Sequence, residues 1–135
     1  MGDTVFLSVA QVKQIHHRVT QGTADESPGV KDEGDLESSV REPRQTFAGQ
    51  ELHSSLVAKA AILGFSMVKN HPFHDGVKRT AHASVETFLR LNGHEIDAPV
   101  EEQFEMMNGL AESGPPEKEE FREWLSEKIV PKKAE

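Results

Sequence analysis

Ten consecutive residues near the middle of the chain combine side chains that suit phosphate chemistry. The run from His71 to Thr80 is His-Pro-Phe-His-Asp-Gly-Val-Lys-Arg-Thr. Histidine exchanges a proton near neutral pH, so His71 is a candidate general base. Lys78 and Arg79 are candidate ligands of phosphate oxygens, because Arg offers a planar fork and Lys a point charge. The run therefore predicts an anion site with a proton acceptor beside it.

Two helices are expected to hold this run in place. Pro72 disfavours the helical conformation at His71, so the preceding helix should end near Asn70. Gly76 permits the positive φ of a tight turn, and the helical pattern resumes after it, over residues 77–91. The run is therefore predicted to be a short loop between two helices.

The start of the second helix is expected to bind phosphate, because the first N–H groups of a helix have no partner within it and attract anions. The predicted phosphate ligands are Gly76, Val77, Lys78 and Arg79. A carboxylate at Asp75 repels the same anion unless a divalent cation lies between them, so Asp75 is a candidate Mg²⁺ ligand. Its alternative role is to cap the following helix.

The run also resembles a known signature. His-Pro-Phe-x-Asp-Gly-x-Lys-Arg is similar to the motif of the Fic/Doc family, in the form found in death-on-curing toxins. The resemblance covers roughly residues 6–125 and includes residues 34–43, 56–70 and 88–93. It implies an all-α Fic fold of about six helices, with the motif loop between two central helices. It also implies a short flap hairpin near residues 47–53, where the backbone of a target aligns by strand pairing.

Helical periodicity over the chain gives the same all-α class, and its length predicts one domain, 1–135. Residues 20–35 are predicted to form a loop, followed by a short helix from Leu36 to Glu42 with Asp35 as its cap. The final helix is predicted to run through Ile129 and to end at Pro131. Four apolar residues predict a buried stripe on the helix after Pro99: Val100, Phe104, Met107 and Leu110.

Four ionisable residues outside the run are assigned to the surface. His16 and His17 are expected at the surface or at a helix end, and a metal site at this pair is not favoured. Lys59 and Lys69 are the cations of the helix that precedes the run, and both are expected to be solvated.

Composition narrows the function classes. The chain carries 15 Lys and Arg against 23 Asp and Glu, a net charge of −8, which argues against a nucleic-acid partner. It has no cysteine, so disulfides and thiolate chemistry are excluded. We find neither a signal-peptide pattern nor an apolar run of about 20 residues, so we expect no membrane partner and a cytoplasmic location.

The resemblance implies an activity. His71 would take the proton of a target hydroxyl as the oxygen attacks phosphorus, and Phe73 would anchor His71 from beneath the loop. The implied substrates are ATP, or another nucleoside triphosphate with Mg²⁺, and a Ser, Thr or Tyr hydroxyl of a target protein. Death-on-curing toxins transfer the γ-phosphoryl group to elongation factor Tu. Lys78 favours this form over Fic relatives with glycine at that place, which transfer a nucleotidyl (AMP) group.

Val77 departs from the family, which usually has Asn at this position. An amide can hydrogen-bond a phosphate and an isopropyl group cannot, although the backbone N–H remains. The loss predicts a slower enzyme, or an inactive homologue that serves as a binding module. Ser38 and Glu42 match the spacing of an inhibitory helix found in some relatives, but Pro43 replaces its Gly or Asn. A separate antitoxin peptide is therefore the expected control.

A third hypothesis is a metal-dependent phosphohydrolase of the HD type. The pair His74-Asp75 supplies the dipeptide, and further candidate ligands are His53, His71, His82 and His94. Enzymes of this type carry the dipeptide on a helix, whereas here it is predicted to lie in a loop. This hypothesis is therefore the least favoured.

Overall fold

The computed structural model describes residues 3–21, 29–112 and 115–133. Over these ranges the chain is mostly helical, with six α-helices and two short antiparallel strand pairs, which confirms the predicted fold class. The helices are α1 Val9–Thr20, α2 Glu33–Arg41, α3 Leu56–Asn70, α4 Val77–Leu91, α5 Val100–Glu112 and α6 Pro115–Lys128. The strands are β1 Thr46–Phe47 with β2 Gln50–Glu51, and β3 His94–Ile96 with β4 Ile129–Pro131. The single domain over 1–135 stays a prediction.

The pair α3 and α4 forms the centre of the fold. Ser55 caps α3 by accepting a hydrogen bond from the Ala58 N–H at 3.0 Å. Gly64 lies where α3 meets α4, since a Cβ at Gly64 would come within 3.0 Å of Val85 Cγ2. The absent side chain therefore allows the two helices to approach closely. The motif run joins the end of α3 to the start of α4, so this packed pair positions it.

Helix α2 begins earlier than predicted. The Asp32 side chain caps it by accepting a hydrogen bond from the Asp35 N–H at 2.9 Å, so the helix starts at Glu33. Asp35 is thus inside the first turn, and the predicted loop over 20–35 is wrong at its end. Residues 22–28 of that predicted loop lie outside the described residues.

The flap hairpin is present, but the assignment of Lys59 to solvent is wrong. Lys59 is 3% exposed, and its ammonium group lies 2.9 Å from the Glu51 carboxylate on β2. It also donates a hydrogen bond to the His53 carbonyl. Lys59 therefore connects the central helix to the hairpin, whereas Lys69 on the same helix is exposed as expected.

The C-terminal segment differs from prediction because it pairs with a distant strand. Helix α6 ends at Lys128, and Ile129 pairs with Ile96 in an antiparallel ladder. The stripe on α5 is half wrong: Met107 and Leu110 are buried, while Val100 and Phe104 are exposed. Gln103 occupies part of the buried face instead, where its side chain bonds the His82 ring at 2.6 Å.

Candidate functional site

Two residues in the left-handed conformation shape the motif loop. His71 ends α3 with φ 52° and ψ 58°, and its N–H donates to the Met67 carbonyl at 3.0 Å. Gly76 precedes α4 with φ 75°. The left-handed conformation of His71 turns the chain away from the axis of α3, and that of Gly76 leads it into α4. The helix ends expected near Asn70 and at Val77 are confirmed.

The loop and the start of α4 border an open cleft of about 550 Å³. Its wall on the motif side is His71, His74, Asp75, Gly76, Val77, Lys78 and Arg79. The opposite wall belongs to α5 and consists of Phe104, Met107 and Asn108. The predicted base, metal ligand and phosphate ligands therefore border one cleft. Met107, which is buried as predicted, and Phe104, which is exposed, give this cleft an apolar side.

Phe73, the predicted anchor of His71, lies behind the loop and away from solvent. Its residue is fully buried, and it forms an isolated antiparallel bridge with Val30. The neighbouring Pro72 carbonyl accepts a hydrogen bond from the Lys31 N–H at 2.7 Å, and the His74 N–H donates to the Gly29 carbonyl at 3.3 Å. The loop is therefore held on one side by main-chain bonds to residues 29–32.

His16 supports the loop from a second side, and its assignment to the surface is wrong. It is 6% exposed, and its ring stacks on that of Phe73 with centroids 4.0 Å apart and planes 5° from parallel. Its Nε2 lies 2.9 Å from the Asp75 carbonyl oxygen. The signal in the sequence was its place beside Val12 and Ile15 on the apolar face of α1, where a surface histidine is not expected.

The two cations lie at the surface of the cleft with separate supports. Lys78 Nζ is 3.1 Å from Asn108 Oδ1 on α5. Arg79 Nη1 donates to the Val19 carbonyl at 3.2 Å, which connects α4 to the end of α1. Both side chains keep further N–H groups for a ligand, because an ammonium has three donors and a guanidinium five.

Lys31 is a third cation at the site that sequence analysis did not single out. Its Nζ lies 3.5 Å from His71 Nδ1, and its side chain is exposed. The contact joins the segment before α2 to the predicted base. No local pattern marked Lys31, because the main-chain bonds that bring it to the loop connect residues about 40 positions apart.

Comparisons with known proteins identify the family of this chain. The model of the Fic/DOC family matches residues 6–89, which include the whole motif. The chain belongs to the Fic/Doc family. It is also similar to the protein "Toxin Doc" of Mycolicibacterium smegmatis (strain ATCC 700084 / mc(2)155), with 39% identity over 84 residues. The match covers 61% of this chain and 65% of that relative, slightly less than two thirds of its length. No helix within the described residues is long and apolar enough to cross a membrane.

Asp75 of this Fic/Doc chain is compatible with a Mg²⁺ site. It does not cap α4, whose N-cap is Gly76 without a side-chain hydrogen bond, so the alternative role as a cap is wrong. Asp75 borders the cleft, and its carboxylate lies 3.9 Å from Arg79 Nη2. Mg²⁺ at nucleotide sites is typically held by one or two carboxylates together with phosphate oxygens and water. A residue with one carboxylate at this cleft is therefore compatible with the ion.

Val77 occupies the position where the Fic/Doc motif usually has Asn. It is 5% exposed and belongs to the apolar core, and it also borders the cleft. The side chain therefore packs at the base of α4. Its isopropyl group offers no hydrogen bond to a ligand in the cleft.

Glu42 and the histidines named for other functions are engaged elsewhere. Glu42 lies 3.1 Å from His53 Nε2, beside the flap, and follows α2 at the start of a 3₁₀ turn. His82 contacts Gln103, and His94 Nδ1 contacts the Asn92 carbonyl. Among the described residues we find no group of three or more His, Cys, Asp or Glu side chains able to hold a metal ion together. The arrangement does not favour an HD-type hydrolase.

Proposed function

We propose that this Fic/Doc protein is a toxin that transfers the γ-phosphoryl group of a nucleoside triphosphate to a hydroxyl of a target protein. Fic/Doc proteins generally use nucleotides to modify proteins. The name of the Mycolicibacterium smegmatis relative, Toxin Doc, supports the toxin role. The proposed target is an elongation factor Tu-like protein with a reactive Ser, Thr or Tyr. The proposed partner is a separate antitoxin peptide.

One observation carries the proposal: His71, Lys78 and Arg79 border the same cleft. The charges of the two cations attract phosphate. The N–H groups of the first helical turn, which have no partner within the helix, attract it as well. A neutral imidazole at the same cleft is able to accept a proton from an attacking hydroxyl. A surface pair of Lys and Arg without a neighbouring base would bind an anion and go no further.

The proposed reaction has one balanced step. The target hydroxyl oxygen forms a bond to the γ-phosphorus, the bond from that phosphorus to the bridging oxygen breaks, and the nucleoside diphosphate leaves with the electron pair. His71 accepts the hydroxyl proton, while Lys78 and Arg79 hold phosphate oxygens. A Mg²⁺ ion held by Asp75 would supply neutralising charge for the phosphates.

The opposite wall supports a nucleotide over a smaller phosphorylated substrate. Phe104 and Met107 give an apolar surface for a base, and Asn108 gives an amide for polar groups. A cleft of about 550 Å³ lies in the usual range for sites of ligands of this size. We therefore propose ATP, or another nucleoside triphosphate, as the donor.

Transfer of AMP is the second candidate, because the choice depends on which phosphorus faces the hydroxyl. Purified protein incubated with a target-containing extract and ATP labelled at either the α or the γ phosphate separates the two reactions. We expect protein-bound label only from the γ position, and none with His71→Ala. His74→Ala is the matched control, since His74 borders the same cleft and is exposed. Label only from the α position would establish AMP transfer instead.

Expression in cells tests the toxin role. We expect growth arrest with the wild-type chain and with His74→Ala, and normal growth with His71→Ala. If no variant transfers label and growth arrest does not depend on His71, the chain is a binding module, as the buried isopropyl group of Val77 would allow.

A further inference from the structure

His16 contacts two residues of the motif loop at once. The face of its ring lies on Phe73, and its edge reaches the Asp75 carbonyl at 2.9 Å. These two contacts are at either end of a turn only a few residues long, directly after His71. A single side chain of α1 therefore touches the loop on both sides of His74.

The chemistry of the second contact defines the form of the His16 ring. A carbonyl oxygen only accepts hydrogen bonds, so Nε2 must carry the hydrogen that it donates to Asp75. His16 is 6% exposed, and its carbonyl accepts a hydrogen bond from the Thr20 hydroxyl at 2.8 Å, one turn further along α1. The donor therefore lies on a helix and not on a loop.

The direction of the Asp75 carbonyl sets the direction of the next N–H. In a trans peptide the C=O and the following N–H lie in one plane and point in opposite directions, and this peptide is trans. Because His16 holds the Asp75 oxygen toward α1, the Gly76 N–H is directed away from α1. Gly76 borders the cleft, where a phosphate would meet this N–H.

We propose that His16 is a positioning residue that orients the Gly76 N–H toward the nucleotide phosphate by holding the Asp75 carbonyl. This inference rests on the proposed function and extends it to a residue outside the motif. The stack on Phe73 fixes the plane of the ring, and the Nε2–H fixes the peptide. Removal of the Nε2–H alone frees this peptide to rotate, although the stack and the fold remain.

Two substitutions separate these contributions. His16→Phe keeps a flat ring on Phe73 and loses the donor, while His16→Gln keeps an N–H donor at about the same reach and loses the ring. We expect kcat to fall about ten- to hundredfold in His16→Phe, the range of a hydrogen bond to a charged group. We expect His16→Gln to recover most of this loss. His17→Phe is the matched control, because His17 is the exposed neighbour on α1.

Binding gives a readout that does not need catalysis. In ¹H–¹⁵N spectra of the full chain, we expect ADP with Mg²⁺ to shift the Gly76 amide in the wild type and in His16→Gln, and to leave it nearly unchanged in His16→Phe. If the three proteins show these Gly76 shifts but the wild type transfers no label, the proposed reaction fails and the role of His16 stands.

Two results would overturn the role of His16. One is a Gly76 shift and a kcat in His16→Phe that equal those of the wild type. The other is a fall in kcat in His16→Phe and His16→Gln that is proportional to their loss of thermal stability. A purely structural role of His16 would give that correlation.

Discussion

The ammonium group of Lys59, on the central helix α3, lies 2.9 Å from the carboxylate of Glu51 on the flap. The lysine side chain is 4% exposed and the glutamate side chain 55%, so the pair reaches from the core to the surface. The same ammonium group bonds the His53 carbonyl just after β2. The position of the hairpin is thereby tied to the helix that also ends at His71.

Lys59→Met is expected to loosen the hairpin with little loss of stability. The remaining Glu51 is solvated, so no buried charge is left alone, and Met fills a similar volume. We expect the free energy of unfolding to change by about 1 kcal/mol or less, and the KM for the protein target to rise about two- to tenfold. Faster amide exchange at residues 46–51 is the direct measurement. Lys69→Met, exposed on the same helix, should leave exchange unchanged; equal exchange in both variants would contradict the tie.

Gly76→Ala is expected to destabilise the fold more than Gly93→Ala. Both glycines have positive φ, so both substitutions carry a left-handed penalty of about 1–2 kcal/mol. A Cβ at Gly76 would also lie 2.5 Å from Thr20 Cγ2, whereas nothing lies within 4 Å at Gly93. Overpacking of this kind adds about 1–3 kcal/mol. Denaturant unfolding of the two variants measures the difference in the free energy of unfolding. Equal losses of stability would show that Thr20 on α1 moves aside at no cost.

Lys78→Met is expected to weaken ATP binding more than AMP binding. Asn108 holds the ammonium group at the cleft, where a triphosphate brings more negative charge than a monophosphate. The loss of one charge-assisted hydrogen bond corresponds to about ten- to hundredfold in affinity. Calorimetric titration with both nucleotides at two salt concentrations tests this, since screening should reduce the difference. An equal loss for ATP and AMP would place Lys78 away from the outer phosphates.

Val77→Asn is expected to trade stability for activity. Val77 is almost fully buried, so an amide at this place costs about 1–3 kcal/mol of stability if it stays unpaired. An amide that reaches the phosphate should raise nucleotide affinity or transfer about ten- to hundredfold. Val77→Ala controls for the lost packing, because it has no amide. Unchanged affinity and rate in Val77→Asn, relative to wild type, would show that Val77 is no handicap.

Local signals predicted the elements around the site well. Pro72 and Gly76 are strong signals for the end and the start of a helix, and they predict the end of α3 and the start of α4 at the correct residues. The family resemblance predicts a short flap hairpin near residues 47–53, and the hairpin lies at 46–51. Without the resemblance, the residues of this stretch predict only a loop. The helical class followed from apolar spacing that needs no tertiary information.

Predictions failed where distant contacts decide the outcome. His16 is buried because its partner lies in the motif loop, 59 positions further along the chain. Lys59 is an exception, since its partners Glu51 and His53 lie only a few residues before it, but helical periodicity does not reveal a contact from α3 back to the flap. The pair β3–β4 brings together segments more than 30 residues apart, and β4 had the apolar pattern of a helix end. The cap of α2 was misplaced because Asp32 and Asp35 are equally good caps by residue type.

The attachment of residues 29–32 to the motif loop runs through main-chain groups at Pro72 and His74. Hydrogen bonds between main-chain groups do not depend on which side chains these residues have. Mutation at Lys31 can therefore alter the charge beside His71 while the loop stays fastened. Position 31, beside the proposed base, can therefore vary in charge without loss of the main-chain attachment of the loop.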